Sequence, residues 1–117
     1  MTELYWEDET HDRYGVLVSH GYGAGWSSWN SPRLAYDRKV IEYWKDNYEA
    51  NPKVVEEWLA KNGYPGTYVS FSNWRNLTLE WIPANVCWRI REYDGAESIE
   101  VLNLAGWNKF DKDGNPV

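Results

Sequence analysis

The dipeptide Asp94-Gly95 stands between two runs that alternate apolar and polar residues, Val86 to Tyr93 (VCWRIREY) and Glu97 to Leu102 (ESIEVL). Asp-Gly between such runs is a strong short-range signal for a two-residue β-hairpin, because that turn needs φ above zero at its central residues. The turn also fixes the register. Tyr93 faces Ala96, Ile90 faces Ile99 and Trp88 faces Val101, while Arg89 faces Glu100 and Arg91 faces Ser98. Trp88, Ile90, Ile99 and Val101 then form a core face, and Arg89 and Glu100 form a cross-strand ion pair on a wet face. Glu92 opposite Glu97 is the awkward pair, two like charges near the turn that water is expected to screen.

Other elements arrange themselves around this hairpin. Tyr14 to His20 (YGVLVSH) reads as a strand with Val16 and Val18 on one face and Leu17 on the other. Both faces are apolar, which suits a central strand. Tyr36, Val40, Tyr43 and Trp44 make one stripe on a helix from about Ala35 to Glu49. A second helix runs from Pro52 to Lys61, with Asn51 as N-cap, Pro52 in the first turn and Asn62-Gly63 at the C-terminal end. Val54, Val55, Trp58 and Leu59 are its expected buried stripe. Thr67 to Phe71 (TYVSF) and Leu77 to Trp81 complete an expected β-meander, joined by a polar turn over Phe71 to Asn76 (FSNWRN). The expected fold class is α+β: a mostly antiparallel sheet of about four to five strands with two helices packed on one face. Residues 1–117 form one expected domain, with 1–13 an acidic N-terminal arm and 106–117 a loose C-terminal tail. Asp111, Asp113 and Asn115 around Gly114 lack the ligand spacing and closing glutamate of a calcium loop, so that tail reads as a turn.

The formal net charge of −6 disfavours contact with nucleic-acid phosphates and favours a basic protein surface or a cationic ligand. Glu3, Glu7, Asp8, Glu9 and Asp12 crowd the beginning of the chain. They read either as a solvated arm or as an acidic surface that competes with nucleic acid for a basic partner. Cys87 is the single cysteine, so no internal disulfide is possible, which fits a reducing compartment. The first residues lack a basic and then apolar leader, and no apolar run approaches the roughly 20 residues that span a bilayer. The expected location is the cytoplasm, with no membrane partner.

The chain's chemistry is concentrated in the loop His20 to Asn30, HGYGAGWSSWN. Glycine gives the backbone conformations closed to other residues, and tryptophan supplies large, stiff surface with one polar handle. Three readings stand. The loop can recognise a base or a protein, with Trp26 and Trp29 stacking on the partner. It can cradle phosphate on its backbone N–H groups, although it matches neither a P-loop nor the dinucleotide fingerprint. Or it is a wide turn whose tryptophans fold back on the helices. The candidate binding residues are His20, Gly21, Tyr22, Gly23, Gly25, Trp26, Trp29 and Asn30, joined by Trp74 and Arg75 and by Arg89 and Arg91. No catalytic or metal site and no cofactor is expected. His20 lies near Ser19, Ser27 and Ser28, but no G-x-S-x-G elbow surrounds them. His11, His20 and Cys87 lack the spacing of a zinc site.

The chain holds nine tryptophans and nine tyrosines, and their N–H and O–H groups need partners when buried. Tyr5, Trp6, Tyr22, Trp26, Trp29, Tyr48, Tyr64, Trp74 and Trp107 fall outside the core stripes. Some of them are expected at the surface or a subunit interface, which argues for binding.

Gly21 to Asn30 (GYGAGWSSWN) and Trp81 to Glu100 (WIPANVCWRIREYDGAESIE) resemble small uncharacterised proteins carried by tailed phages and prophages. The shared features are a G-A-G-W-S-x-W-N loop and an I-x-E-Y-D-G-x-E-S-I-E hairpin. The resemblance implies an accessory gene of a phage genome, a setting that often encodes inhibitors of host functions, including CRISPR nucleases and nucleotide-signalling defences. The expected function is therefore a non-enzymatic accessory protein that binds and inhibits a bacterial host or defence component through the aromatic, glycine-rich loop. One alternative is a sponge that sequesters a nucleotide-type signalling ligand. Another is a structural module that self-associates, and a homodimer is the expected assembly.

Overall fold

Strand β1, Arg13–Val18, is buried on both faces and divides the core in two. Tyr14, Val16 and Val18 point to one side, where they meet Leu4, Ala35, Ile82, Trp88 and Phe110. Leu17 points to the other, into a larger cluster with Trp26, Leu34, Val40, Ile41, Val55, Leu59 and Trp74. The period-two alternation of side chains places them so. The computed structural model describes residues 3–21, 24–101 and 107–117, the side chain of Phe71 excepted.

Short 3-10 turns at Ser27–Trp29 and Pro32–Ala35 lead into helix α1, Arg38–Asn47, and then helix α2, Pro52–Lys61. Asp37 and Asn51 cap these helices, each accepting a hydrogen bond from the N–H two residues on, at 3.0 and 2.9 Å. Such caps satisfy amides that the first turn leaves without partners. Val55 and Leu59 bury the inner stripe of α2, but Val54 is 53% exposed. It lies a full 100° of helical turn away from Val55 and so leaves the stripe.

The fold is α+β, as expected, but its strands do not form one sheet. Strand β2, Thr78–Pro83, pairs antiparallel with β1, and strands β3, Trp88–Tyr93, and β4, Ala96–Val101, pair with each other. The described strands thus make two two-stranded sheets. Thr67 to Phe71 supplies no strand. Ser70 accepts from the N–H of Asn73 at 3.1 Å and caps a short helix, α3, Phe71–Arg75, where a turn was expected. A serine side chain that satisfies the backbone in this way favours a helix start over a strand. Without that strand, β2 turns to β1 instead of extending a meander.

The β3–β4 register is the one read from Asp94-Gly95, from Trp88 opposite Val101 to Tyr93 opposite Ala96. Asp94 and Gly95 both have positive φ, 51° and 87°. The segments around Leu4 and Phe110 are tied down. Leu4 is buried, and Gly15 N–H donates to Tyr5 C=O at 2.8 Å, so the segment expected as an acidic arm runs beside β1. Phe110 is buried likewise, and Val117 N–H donates to Lys109 C=O at 2.9 Å. Apolar Leu4 and Phe110 explain this: each buries its side chain in the cluster that holds Tyr14 and Trp88.

Candidate functional site

The glycine-rich loop is organised by a carboxylate from another element. Glu97, at the start of β4, is only 2% exposed. Its Oε1 accepts from Ser19 N–H at 3.0 Å. Its Oε2 accepts from Trp26 N–H at 2.8 Å, Ser28 N–H at 3.0 Å and Ser28 Oγ at 2.5 Å. The Glu97 N–H in turn donates to Ser19 C=O at 2.5 Å. A buried carboxylate is tolerated when hydrogen bonds replace its water, and bonds to an ionised acceptor are the strong ones. Glu97 therefore fills the anion position that a glycine-rich loop would otherwise offer a phosphate. Register contributes to its placement, since Glu97 shares a face with Trp88, Ile90 and Ile99, which pack into the core; Val101, expected on that core face, is instead 52% exposed at the end of β4.

A second clamp comes from α3. Asn73 Nδ2 donates to Gly25 C=O at 3.0 Å, and Ser19 Oγ donates to Asn73 Oδ1. Gly25 is needed where it stands. A Cβ there would lie 2.6 Å from Ser28 Oγ and 2.7 Å from Trp29 Cδ1. It would push the Ser28 hydroxyl off Glu97 and lift the Trp29 ring.

These ties turn Trp26 inward and Trp29 outward. Trp26 is 1% exposed, packs edge-on to Trp74 with ring centres 5.5 Å apart, and donates its indole N–H to Leu34 C=O. Trp29 is 49% exposed and stands as a ridge between two clefts. One, about 540 Å³, is floored by Ser19, Ala24 and Asn73 and walled by Ser70, Ser72, Asn76 and Tyr68. The other, about 330 Å³, lies toward the turn Gly63 to Thr67 and includes Tyr64. Tyr68, 58% exposed, stands beside the ridge because Asn30 holds its backbone. Tyr68 N–H donates to Asn30 Oδ1 at 3.0 Å, and Asn30 Nδ2 donates to Tyr68 C=O at 3.3 Å and to Trp26 C=O at 2.9 Å. Both volumes fall near the about 300–1,000 Å³ of small-molecule sites.

The candidates named from sequence divide sharply. Gly21, Trp29 and Asn30 lie at the clefts, with Gly25 beneath them. Trp26 and Trp74 are core residues. The Trp74 indole donates to Asn47 C=O, so its polar handle is satisfied inside, and Tyr64 is buried with its hydroxyl on Asp37. Arg89 and Arg91 are both paired with Glu100, and Arg75 pairs with Glu49 at 3.7 Å; Arg89 also lines a third cleft, of about 250 Å³, with Ser27, Ser28 and Asn30. None of these arginines lines either cleft beside Trp29 among the described residues. His20 is exposed, its Nε2 3.9 Å from Glu80 Oε1, while the hydroxyls of Ser19 and Ser28 serve Asn73 and Glu97. Tyr22 and Gly23 lie outside the described residues. Among the described residues, no group of three or more His, Cys, Asp or Glu could hold a metal ion, and no helix is long and apolar enough to cross a membrane.

Sequence reasoning missed Glu97, Asn73 and Tyr68. The signal for Glu97 was present, since the hairpin register alone puts it on the core face. Asn73 and Tyr68 carried no local signal, because their roles depend on how α3 meets the loop. Comparison with protein-family models, curated proteins and solved structures finds no match to the chain.

Proposed function

We propose that this chain is a non-enzymatic accessory protein of the phage type, which acts in the bacterial cytoplasm by binding and inhibiting a host or defence component. Its contact face is the Trp29 ridge with Tyr68 and the flanking clefts. The observation that supports this reading is the fixed exposure of Trp29: half its surface faces solvent although the loop beneath is pinned by Glu97 and Asn73. A rigid aromatic anchor loses little entropy on binding, and tryptophan and tyrosine dominate interface energetics. The net charge of −6 adds attraction for a basic partner. The nucleotide-sponge alternative has less support. The amides of Trp26 and Ser28 in the loop, and of Ser19 just before it, already serve Glu97, and the hairpin arginines Arg89 and Arg91 are already paired with Glu100.

The test is relief of defence. Bacteria carrying a CRISPR nuclease or a nucleotide-signalling defence would express the wild type or a variant with both Trp29→Ala and Tyr68→Ala, and plating efficiency of a sensitive phage would be scored. Relief by the wild type and its loss in the double variant, with unchanged circular dichroism, is expected. Equal relief by the double variant, or none by the wild type across the panel, would defeat the proposal.

A further inference from the structure

The two clefts beside Trp29 share a property. Of the chain, 26% is Asp, Glu, Lys or Arg, yet none of the described lining residues of either cleft carries a charge. The lining is instead built from aromatic rings, small residues and the neutral hydroxyls and amides of Ser, Thr and Asn. Each type of side chain offers something different: aromatic faces take C–H groups, and hydroxyls and amides both donate and accept hydrogen bonds.

This chemistry selects a ligand by exclusion and by fit. A phosphate or carboxylate ligand needs a cation or free backbone N–H groups, and two of the loop's amides, with that of Ser19 just before it, are bound to Glu97. A cationic ligand needs a carboxylate, which the described lining lacks. A single planar base would fill one cleft and leave the other empty, whereas Trp29 separates two that are open to each side of it. A chain of linked neutral rings with apolar faces and hydroxyl rims satisfies every feature. We infer that the Trp29 groove binds a neutral oligosaccharide, one sugar ring packed on Trp29 and neighbouring rings lying in the two clefts against Tyr68 and the Ser–Asn wall. The inference rests on the reading of the Trp29 ridge as the contact face, and makes what is bound there a glycan or a glycan-bearing component in place of a basic protein surface. The geometry is pre-set, since Asn30 holds Tyr68 and Gly25 seats Trp29 before any ligand arrives.

The experiment is an NMR titration of the full chain with maltohexaose, cellohexaose and chitohexaose, with adenosine, a nucleoside monophosphate and a neutral Gly-Ser peptide alongside. The Trp29 indole N–H signal, assigned by its loss in Trp29→Phe, is the main readout. A dose-dependent shift of that signal with at least one oligosaccharide is expected, equal at low and high salt because the ligand carries no charge. Trp29→Ala and, separately, Tyr68→Ala should each weaken binding by about tenfold or more, a change on the scale of one lost aromatic contact. Absence of a shift with all three sugars, binding that falls steeply with salt, binding that survives both variants, or preference for adenosine, the nucleotide or the peptide would each overturn the inference. Such a failure leaves the contact face standing if the double variant still loses defence relief. Retained relief in that variant would instead reject the face itself.

Discussion

Trp26 and Trp29 are three residues apart in one loop, yet one is 1% exposed and the other 49%. Residue type cannot explain the difference. Trp26 turns inward because its own N–H, with that of Ser28, points at Glu97, which fixes the backbone and drops the ring against Trp74. Trp29 lies one residue beyond Ser28, at the end of the 3-10 turn, and its ring is laid over Gly25 toward solvent. An aromatic loop is thus divided into a structural half and a presenting half by where its amides find an acceptor.

The largest break in that division should come from Trp26→Ala. Removing a fully buried indole costs about 3–5 kcal/mol, read as a shift of the urea midpoint, whereas a change under about 1 kcal/mol would mean that Trp26 is not core. Glu97→Ala should cost about 3 kcal/mol, because buried N–H groups left without partners cost about 1–3 kcal/mol each and the loop partly relaxes. A near-neutral result would show that the loop holds itself. Gly25→Ala should cost about 1–3 kcal/mol through crowding of Ser28 and Trp29, and Trp29 fluorescence quenching by acrylamide should rise as its ring lifts.

A pH experiment checks the other half of the core. Burial raises the Tyr14 phenol from 10.0 to about 12, against a smaller lowering by the bond from Trp88 Nε1 at 2.6 Å. Burial, and then the bond it donates to Asp37, raises Tyr64 as well. A folded phenol that keeps its proton longer than the unfolded one contributes stability that is complete below pH 10 and is lost as pH climbs through about 12. Tyr14→Phe should flatten part of that alkaline decline in denaturation series, and an unchanged slope would place the effect elsewhere. The smallest expected effect is on stability in Trp29→Ala, within about 0.5 kcal/mol. A larger loss would move Trp29 into the structural half.

How much of this was legible in the residues depends on how local each determinant is. Asp94-Gly95 gave the hairpin and its register because the turn and the alternation lie in one stretch. Asn51-Pro52 and the Val55–Leu59 stripe gave α2 for the same reason. The α+β class followed from such segments. The sheet did not, since Thr67 to Phe71 has strand composition but Ser70 caps a helix there. The site was half legible. Glycines and tryptophans marked the loop, but which indole faces out was set by Glu97, 71 residues from Trp26 in the chain. The inward face of Glu97 was already implied by the register, although two glutamates opposite each other near a turn looked like surface residues. Tyr68 looked like a strand residue, and only its backbone pairing with Asn30 makes it part of the ridge.

The most direct measurement is amide hydrogen exchange, followed by NMR, in the wild type and in Glu97→Gln. Loop amides normally exchange fast. Slow exchange at Ser19, Trp26 and Ser28 in the wild type is expected, with protection falling at these three in Glu97→Gln while Arg91 and Ser98, which face each other in the hairpin as a hydrogen-bonded pair, keep theirs. Fast exchange at the three amides in the wild type, or protection untouched by the substitution, would contradict the role given to Glu97 in dividing the loop.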